Sequence, residues 1–263
     1  MPRFLLRLAY DGTAYAGWQR QENATSIQAI VEQALAPLAG GPVTVSGAGR
    51  TDAGVHADGQ AAHVDLDRDV APDVVVRAAN ARLPDDIRVR AADLVPDDFH
   101  ARFSAVAKTY RYTWLVSQAG HPLLARTTCL AAPPLALPVM ATAARALAGT
   151  HDFAAFQSTG TPVTSTVRTM RGVDFGIRPA EDLGLRLLDG ERVVELELTA
   201  DGFLRHMMRA IAGTLLEIGQ GRRPVDDVRR LLGGAPRSEA GPNAPPQGLT
   251  LVRVHYSEDP PLP

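Results

Sequence analysis

The sequence predicts an α+β architecture, with helices laid on one face of a mostly antiparallel sheet. Several strand-like runs alternate apolar with polar side chains, as strands with one wet face do, most plainly Val193-Val-Glu-Leu-Glu-Leu-Thr199. Helical stripes are few and the strands read as hairpin-like, which favours this layout over a parallel sheet of Rossmann type. An internal echo points to two related α+β halves: residues 6–12 and 196–202 both read as strands that end in Asp-Gly before an amphipathic helix.

Taken in order, residues 4–10 form a first strand, ended by the turn residues Asp11-Gly12-Thr13. Thr25 and Gln28 have the spacing of a capping box, and Ile27, Ile30, Val31, Ala34, Leu35 and Leu38 then recur on one helical face until Gly40-Gly41-Pro42 stops the pattern. Residues 43–46 read as a strand running into a glycine-rich loop, and residues 61–66 leave that loop as another. Pro72 opens a short helix bearing Val75, Val76 and Ala79, and residues 87–94 are again strand-like. Residues 108–116, rich in aromatic and β-branched side chains, alternate as a strand. Pro138 begins a helix through Leu147, and residues 193–199 follow as a strand. Phe203, Met207, Ile211, Leu215 and Ile218 mark a helical stripe that ends at Gly219, and a short helix starts at Pro224. Residues 233–248 form a Pro/Gly-rich loop, and residues 249–256 close the chain as a strand.

With 263 residues, 45% of them hydrophobic, the chain can bury a core as one large domain or two closely joined ones. No apolar run approaches the length of a bilayer span, and Arg7 breaks the apolar start, so the chain reads as soluble, with no membrane partner and no targeting segment. Cys129 is the single cysteine, which excludes an internal disulfide and a cysteine-paired structural metal and makes a cytoplasmic location the default expectation. A net charge of -2 argues against gripping a polyanion by bulk electrostatics. Charge is uneven, however: residues 1–100 carry 9 Arg against 14 Asp and Glu, and the remainder carries 18 basic against 15 acidic residues, so a polyanion is expected to lean on the second part. Lys108 is the only lysine; guanidinium suits phosphates and base faces, although genomic base composition accounts for the same bias.

No GxGxxG and no Walker loop is present. Chemistry concentrates instead in Gly47-Ala-Gly-Arg-Thr-Asp-Ala-Gly-Val-His-Ala-Asp-Gly-Gln60, which gathers Arg50, Asp52, His56 and Asp58 among small residues. Glycines permit positive φ and close approach of a ligand to the backbone, so charged side chains there can be presented with little steric cover. Arg50, two residues before Asp52, is placed to favour the ionised carboxylate. An Asx-turn aspartate with a surface ion pair is the structural alternative.

That segment resembles the active-site motif of the tRNA pseudouridine synthase A family. The resemblance continues, in the family's order, through AYDGTAYAGWQRQ, Asn80-Ala-Arg-Leu-Pro84, Asp97-Asp-Phe-His-Ala-Arg-Phe-Ser104, the Tyr110-Arg-Tyr112 strand, His206-Met-Met-Arg209 and Pro245-Pro-Gln-Gly-Leu249, and so covers essentially the whole chain. It implies Asp52 as the catalytic aspartate, Arg50 as its neighbour, Tyr110 as the aromatic against the target uracil and Arg209 as the arginine facing the aspartate. Arg50, His56 and Arg205 join Tyr110 as expected substrate contacts, with Arg222 and Arg223 as weaker candidates for phosphate. Departures are Ala210, where asparagine is common, and Thr250, where tyrosine is frequent.

The family's fold implies two ferredoxin-like-related α+β subdomains sharing a central sheet: residues 1–98 with the Asp52 loop and residues 99–263 completing a cleft. It also implies a homodimer acting on uridines 38, 39 and 40 of the tRNA anticodon stem-loop. Isomerising uridine breaks the bond from N1 to the sugar, joins C5 to the same carbon and removes the C5 proton. Nothing enters from outside, so neither metal nor redox cofactor is expected. Three rival readings remain at this point. His56, His63, Asp52 and Asp65 are metal-ligand types, Asp52 with Asp58 is a carboxylate pair of the glycosidase kind, and a ferredoxin-like sheet also builds non-catalytic RNA-binding modules, although no RNP-type aromatic segment appears.

Overall fold

The computed structural model describes residues 1–158, 160 and 163–257, whose contacts group into two compact units. The first takes Met1–Val106 together with residues 250–257, and the second Ala107–Leu249. The units therefore differ from a contiguous division at residue 98. Residues 99–104 fold back on the first unit: Arg3 donates to the Phe99 carbonyl at 2.8 Å, and the Ala101 N–H reaches His63 Nδ1 at 3.2 Å. The C-terminal strand also returns to this unit to pair with one of its strands.

In the first unit β1 (Arg3–Tyr10) lies between β3 (His56–Asp65) and β4 (Ile87–Val95), antiparallel to both. The short β2 (Ser46–Gly47) runs antiparallel to β3, and β10 (Leu249–His255) runs parallel to it, with Thr250 opposite His56 and Leu251 opposite Ala57. Helix α1 (Ile27–Ala39) packs on α2 (Pro72–Asn80), and α2 on β4. Phe4, Leu6, Leu8, Ile27, Val31, Leu35, Val75 and Ile87 are fully buried and form the core. Two local expectations are corrected. The cap of α1 is Ser26, whose hydroxyl accepts from Ala29 N–H, because the Gln28 side chain is spent elsewhere: it accepts from Arg20 N–H at 2.9 Å and donates to Glu32 and to the Val45 carbonyl at 3.0 Å. Glu32 in turn accepts from Val45 N–H at 3.0 Å, so side chains take the groups a strand over residues 43–46 needs, and only Ser46–Gly47 pairs.

The second unit carries the strand order β5 (Ala107–Val116), β9 (Arg192–Ala200), β8 (Val167–Arg178), β7 (Gly149–Asp152), all antiparallel, with β6 (Cys129–Ala131) parallel to β5. Helix α3 (Leu137–Arg145) packs on α4 (Met207–Gly219), α5 (Asp227–Leu231) and β8, and α4 packs on β5. Gly219 is glycine because α3 passes so close that a Cβ there would sit 2.4 Å from Met140 Sδ. The stripe beginning at Phe203 becomes helix only from Met207, and α5 starts three residues after Pro224. Strands β6, β7 and β8 have no counterpart in the sequence reading. Twelve-residue β8 buries only Met170 and contains Gly172 and Gly176, so its strand character comes from pairing, Val173 opposite Leu198 and Phe175 opposite Leu196. The α+β class with a mostly antiparallel sheet is as expected.

Candidate active site

Asp52 sits half-buried on the turn between β2 and β3, and the backbone of that turn is fixed from several directions. Val55 N–H closes the turn on the Asp52 carbonyl at 3.1 Å, and Gly54 takes φ 75, a left-handed conformation that favours glycine. From the N-terminal segment, Trp18 N–H donates to the Thr51 carbonyl at 3.0 Å and Gly54 N–H to the Tyr15 carbonyl at 3.3 Å. These segments approach where side chains are missing. A Cβ on Gly12 would lie 2.0 Å from the Val55 carbonyl oxygen, one on Gly17 2.4 Å from that of Thr51, and one on Gly47 2.4 Å from the buried Trp18 indole nitrogen.

Beneath the turn, the Tyr10 hydroxyl lies 2.8 Å from Thr51 Oγ1, and Gln60 donates to the Gly49 carbonyl at 2.9 Å and to Tyr10 at 3.4 Å. Burial pushes the Tyr10 phenol up to about 12 against the pull of its Thr51 and Gln60 bonds, so it stays neutral and able to donate. Tyr10, Trp18 and Gln60 are thus the supports of the turn. Their segments matched family motifs without any role being assigned, and only the buried contacts reveal one. Contrary to a free glycine-rich loop through Gln60, β3 begins at His56, so His56 and Asp58 are strand residues with fixed directions.

The expected substrate contacts of the first unit lie in different surroundings. Arg50 is exposed. His56 is buried, its Nδ1 3.1 Å from Gly12 N–H and 3.1 Å from Asp11 Oδ1. His63, the other imidazole of the metal reading, accepts from Ala101 N–H and meets the His100 ring edge-on at 4.6 Å. Burial first, then the neighbouring His100 and Arg3, lower its basicity. Among the described residues no group of three or more His, Cys, Asp or Glu is placed to hold a metal ion.

In the second unit Tyr110 lies in β5 opposite Leu198, buried and set edge-to-face against Phe203 at 4.8 Å. Arg209 stands in the first turn of α4, and its Nε donates to the Ala244 carbonyl at 2.8 Å while Ala244 N–H donates back to the Arg209 carbonyl at 2.9 Å. Ala210, one of the two departures, is fully buried. The Pro/Gly loop is therefore a brace for this helix. A Cβ on Gly213 would lie 1.8 Å from the Pro242 carbonyl oxygen, Gly241 N–H reaches Thr214 Oγ1 at 2.9 Å, and the Tyr112 hydroxyl donates to the Pro245 carbonyl at 2.8 Å. Arg205 is exposed just before the helix. Arg223 pairs with Glu217 and Asp227 at 2.5 and 2.7 Å, and Arg222 meets Gln220 and Glu217.

The α+β fold and the comparisons with known proteins agree on one class, isomerases that act on tRNA. Residues 8–104 and 143–257 match the family model described as tRNA pseudouridine synthase. Curated relatives called tRNA pseudouridine synthase A include those of Syntrophotalea carbinolica, 44% identical over 96% of this chain and 95% of its own length, and of a Geobacter species, 41% identical over 98% and 100%. That of Ruminiclostridium cellulolyticum is 39% identical over 97% and 100%. The chain belongs to the tRNA pseudouridine synthase A family.

Proposed function

We propose that Asp52 is the carboxylate with which this tRNA-acting isomerase converts uridine to pseudouridine, at nucleotide positions 38, 39 and 40 of the anticodon stem-loop. The observation that supports it is the setting of Asp52, a half-buried acid whose turn is fixed mostly through backbone contacts on the side of Gly12, Gly17 and Trp18. Such pre-organisation matches a group that must meet one sugar carbon as the N1 bond breaks and the C5 bond forms. Tyr110 offers a flat face to uracil, worth about 1 to 3 kcal/mol in stacking, and its hydroxyl assists loss of the C5 proton. Arg209 acts as the cation for the aspartate and the leaving base. Arg50, Arg205 and His56 contact the RNA, and phosphate contacts offset the few kcal/mol that extruding a stacked base costs. The reaction balances without a metal or redox cofactor. The working assembly is a homodimer holding one tRNA across both subunits, in the cytoplasm; the described residues include no helix long and apolar enough to cross a membrane.

The test is release of tritium from C5-labelled uridine in undermodified tRNA, without added metal, for the native chain and Asp52→Ala. Release by the native chain and none by the variant is the expected result. Turnover retained by Asp52→Ala removes the residue from its role, and free uracil as product replaces isomerisation by hydrolysis at the same carbon. Light scattering of the protein with and without tRNA checks the dimer.

A further inference from the structure

His206 is the one non-glycine residue with positive φ among those described, at φ 61 and ψ 7, and it stands immediately before α4. For a side-chain-bearing residue this left-handed conformation is strained and persists only where the surroundings impose it. Here they do so through the imidazole. Ser158 Oγ lies 2.7 Å from His206 Nδ1, and the Asn243 amide nitrogen lies 3.4 Å from that hydroxyl and 3.3 Å from the same ring nitrogen. Arg237 donates to Asn243 Oδ1 at 3.0 Å, which fixes the amide orientation: the oxygen faces the guanidinium and the NH2 faces serine and histidine. In the tautomer with Nδ1 bare, donation runs one way, from Arg237 to Asn243 to Ser158 to His206, with Nδ1 as the acceptor. The backbone joins in, since Ser158 N–H donates to the Arg205 carbonyl at 3.1 Å and Ala210 N–H to the His206 carbonyl at 2.9 Å.

We infer that His206 is a positioning residue: its imidazole, locked by this relay, sets the direction from which Arg205 and Arg209 leave the start of α4. The inference rests on the reading of Arg209 as a working residue. A helix start has no need of this device, because a glycine adopts the same φ without strain and Ser, Thr, Asp or Asn caps the helix directly. An imidazole in a strained backbone position, fed by a permanent cation three links away, is instead a means of removing play from the residues on either side.

The experiment measures kcat and KM by tritium release for the full chain and for His206→Gly, His206→Asn and Arg209→Ala, with thermal unfolding of each. Glycine keeps the φ and removes the ring. Asparagine tolerates the φ and puts Oδ1 where histidine has Nδ1. His206→Gly is expected to fold with an unchanged or higher melting temperature yet lose kcat by about 10- to 100-fold, with KM within about 3-fold, as misplacement of a reacting group does. His206→Asn is expected to recover most of that loss. Native kcat in His206→Gly overturns the inference, as does a His206→Asn no better than the glycine variant. If Arg209→Ala is inactive while His206→Gly is normal, only the positioning role fails. If Arg209→Ala turns over normally, the reading of Arg209 fails and this inference with it.

Discussion

The turn bearing Asp52 is held by what is missing: Gly12, Gly17 and Gly47 let Val55, Thr51 and Trp18 come within distances that a Cβ forbids, and the tie is mostly backbone to backbone. The start of α4 is held by what is present, since a strained histidine, a serine, an asparagine and an arginine pin it from the side, and Arg209 braces itself on Ala244. The difference teaches that an acid and a cation call for different mounts. A short carboxylate has almost no reach of its own, so its precision has to come from the backbone under it. An arginine has a long flexible stem, so fixing the backbone is not enough, and side-chain contacts must restrain the stem and its neighbours.

The comparison breaks most visibly at the acid. Asp52→Asn preserves shape while replacing one acceptor oxygen by an NH2 donor and removing the charge, and turnover in the tritium assay is expected to fall by more than about 10³-fold, with tRNA affinity in a filter-binding titration within about 3-fold. Next comes the packed support of the turn. Trp18→Ala removes a fully buried indole, and chemical denaturation should show a loss of about 3 to 5 kcal/mol. A smaller effect sharpens the claim about missing side chains. Gly12→Ala, with backbone oxygen 2.0 Å from the new carbon, should cost about 1 to 3 kcal/mol and depress turnover, whereas Gly40→Ala, left-handed but with nothing within 4 Å, should lose only the backbone strain and leave turnover alone. Equal effects on turnover from the two would remove close approach as the explanation.

The smallest effect belongs to the buried phenol. Tyr10→Phe takes a bond from Thr51 and Gln60 and should destabilise by about 1 kcal/mol near neutral pH. Its pH dependence has a definite sign. The folded-state value is raised to about 12 above an ordinary 10, so the neutral form's contribution is complete below pH 10 and is lost as pH rises through 12. Stability of the native chain should therefore fall over that window more steeply than that of Tyr10→Phe, as followed by urea midpoints at several pH values. Parallel curves for the two proteins contradict a buried neutral phenol.

Legibility in the sequence tracked how far each residue's partners lie along the chain. Strands β1, β4, β5 and β9 and helices α1 and α2 carry their own periodicity, because one face is buried and the other wet, and their bounds were read to within a residue or two. Strand β8 has no such pattern, since it is a strand only by virtue of β9 and β7, and no local signal announces a partner. The capping box on Thr25 looked sound locally but failed because Gln28 had distant acceptors and donors to satisfy. The glycine-rich segment around Asp52 stood out through composition and resemblance together, whereas the posts beneath it did not. Tyr10 and Gln60 stand 50 residues apart and meet only in the fold.

By itself, then, the sequence determined the class of fold and the family, because these are written in short-range patterns and ordered motifs. Tertiary structure alone decided that Arg50 is exposed, that His56 faces Asp11 and Gly12, that the C-terminal strand belongs with the first unit and that His206 is held out of ordinary backbone space. The physical reason is common to all four. Direction and distance between residues far apart in the chain are fixed by packing and by the obligation of buried polar groups to find partners, and neither is encoded in any one stretch of sequence.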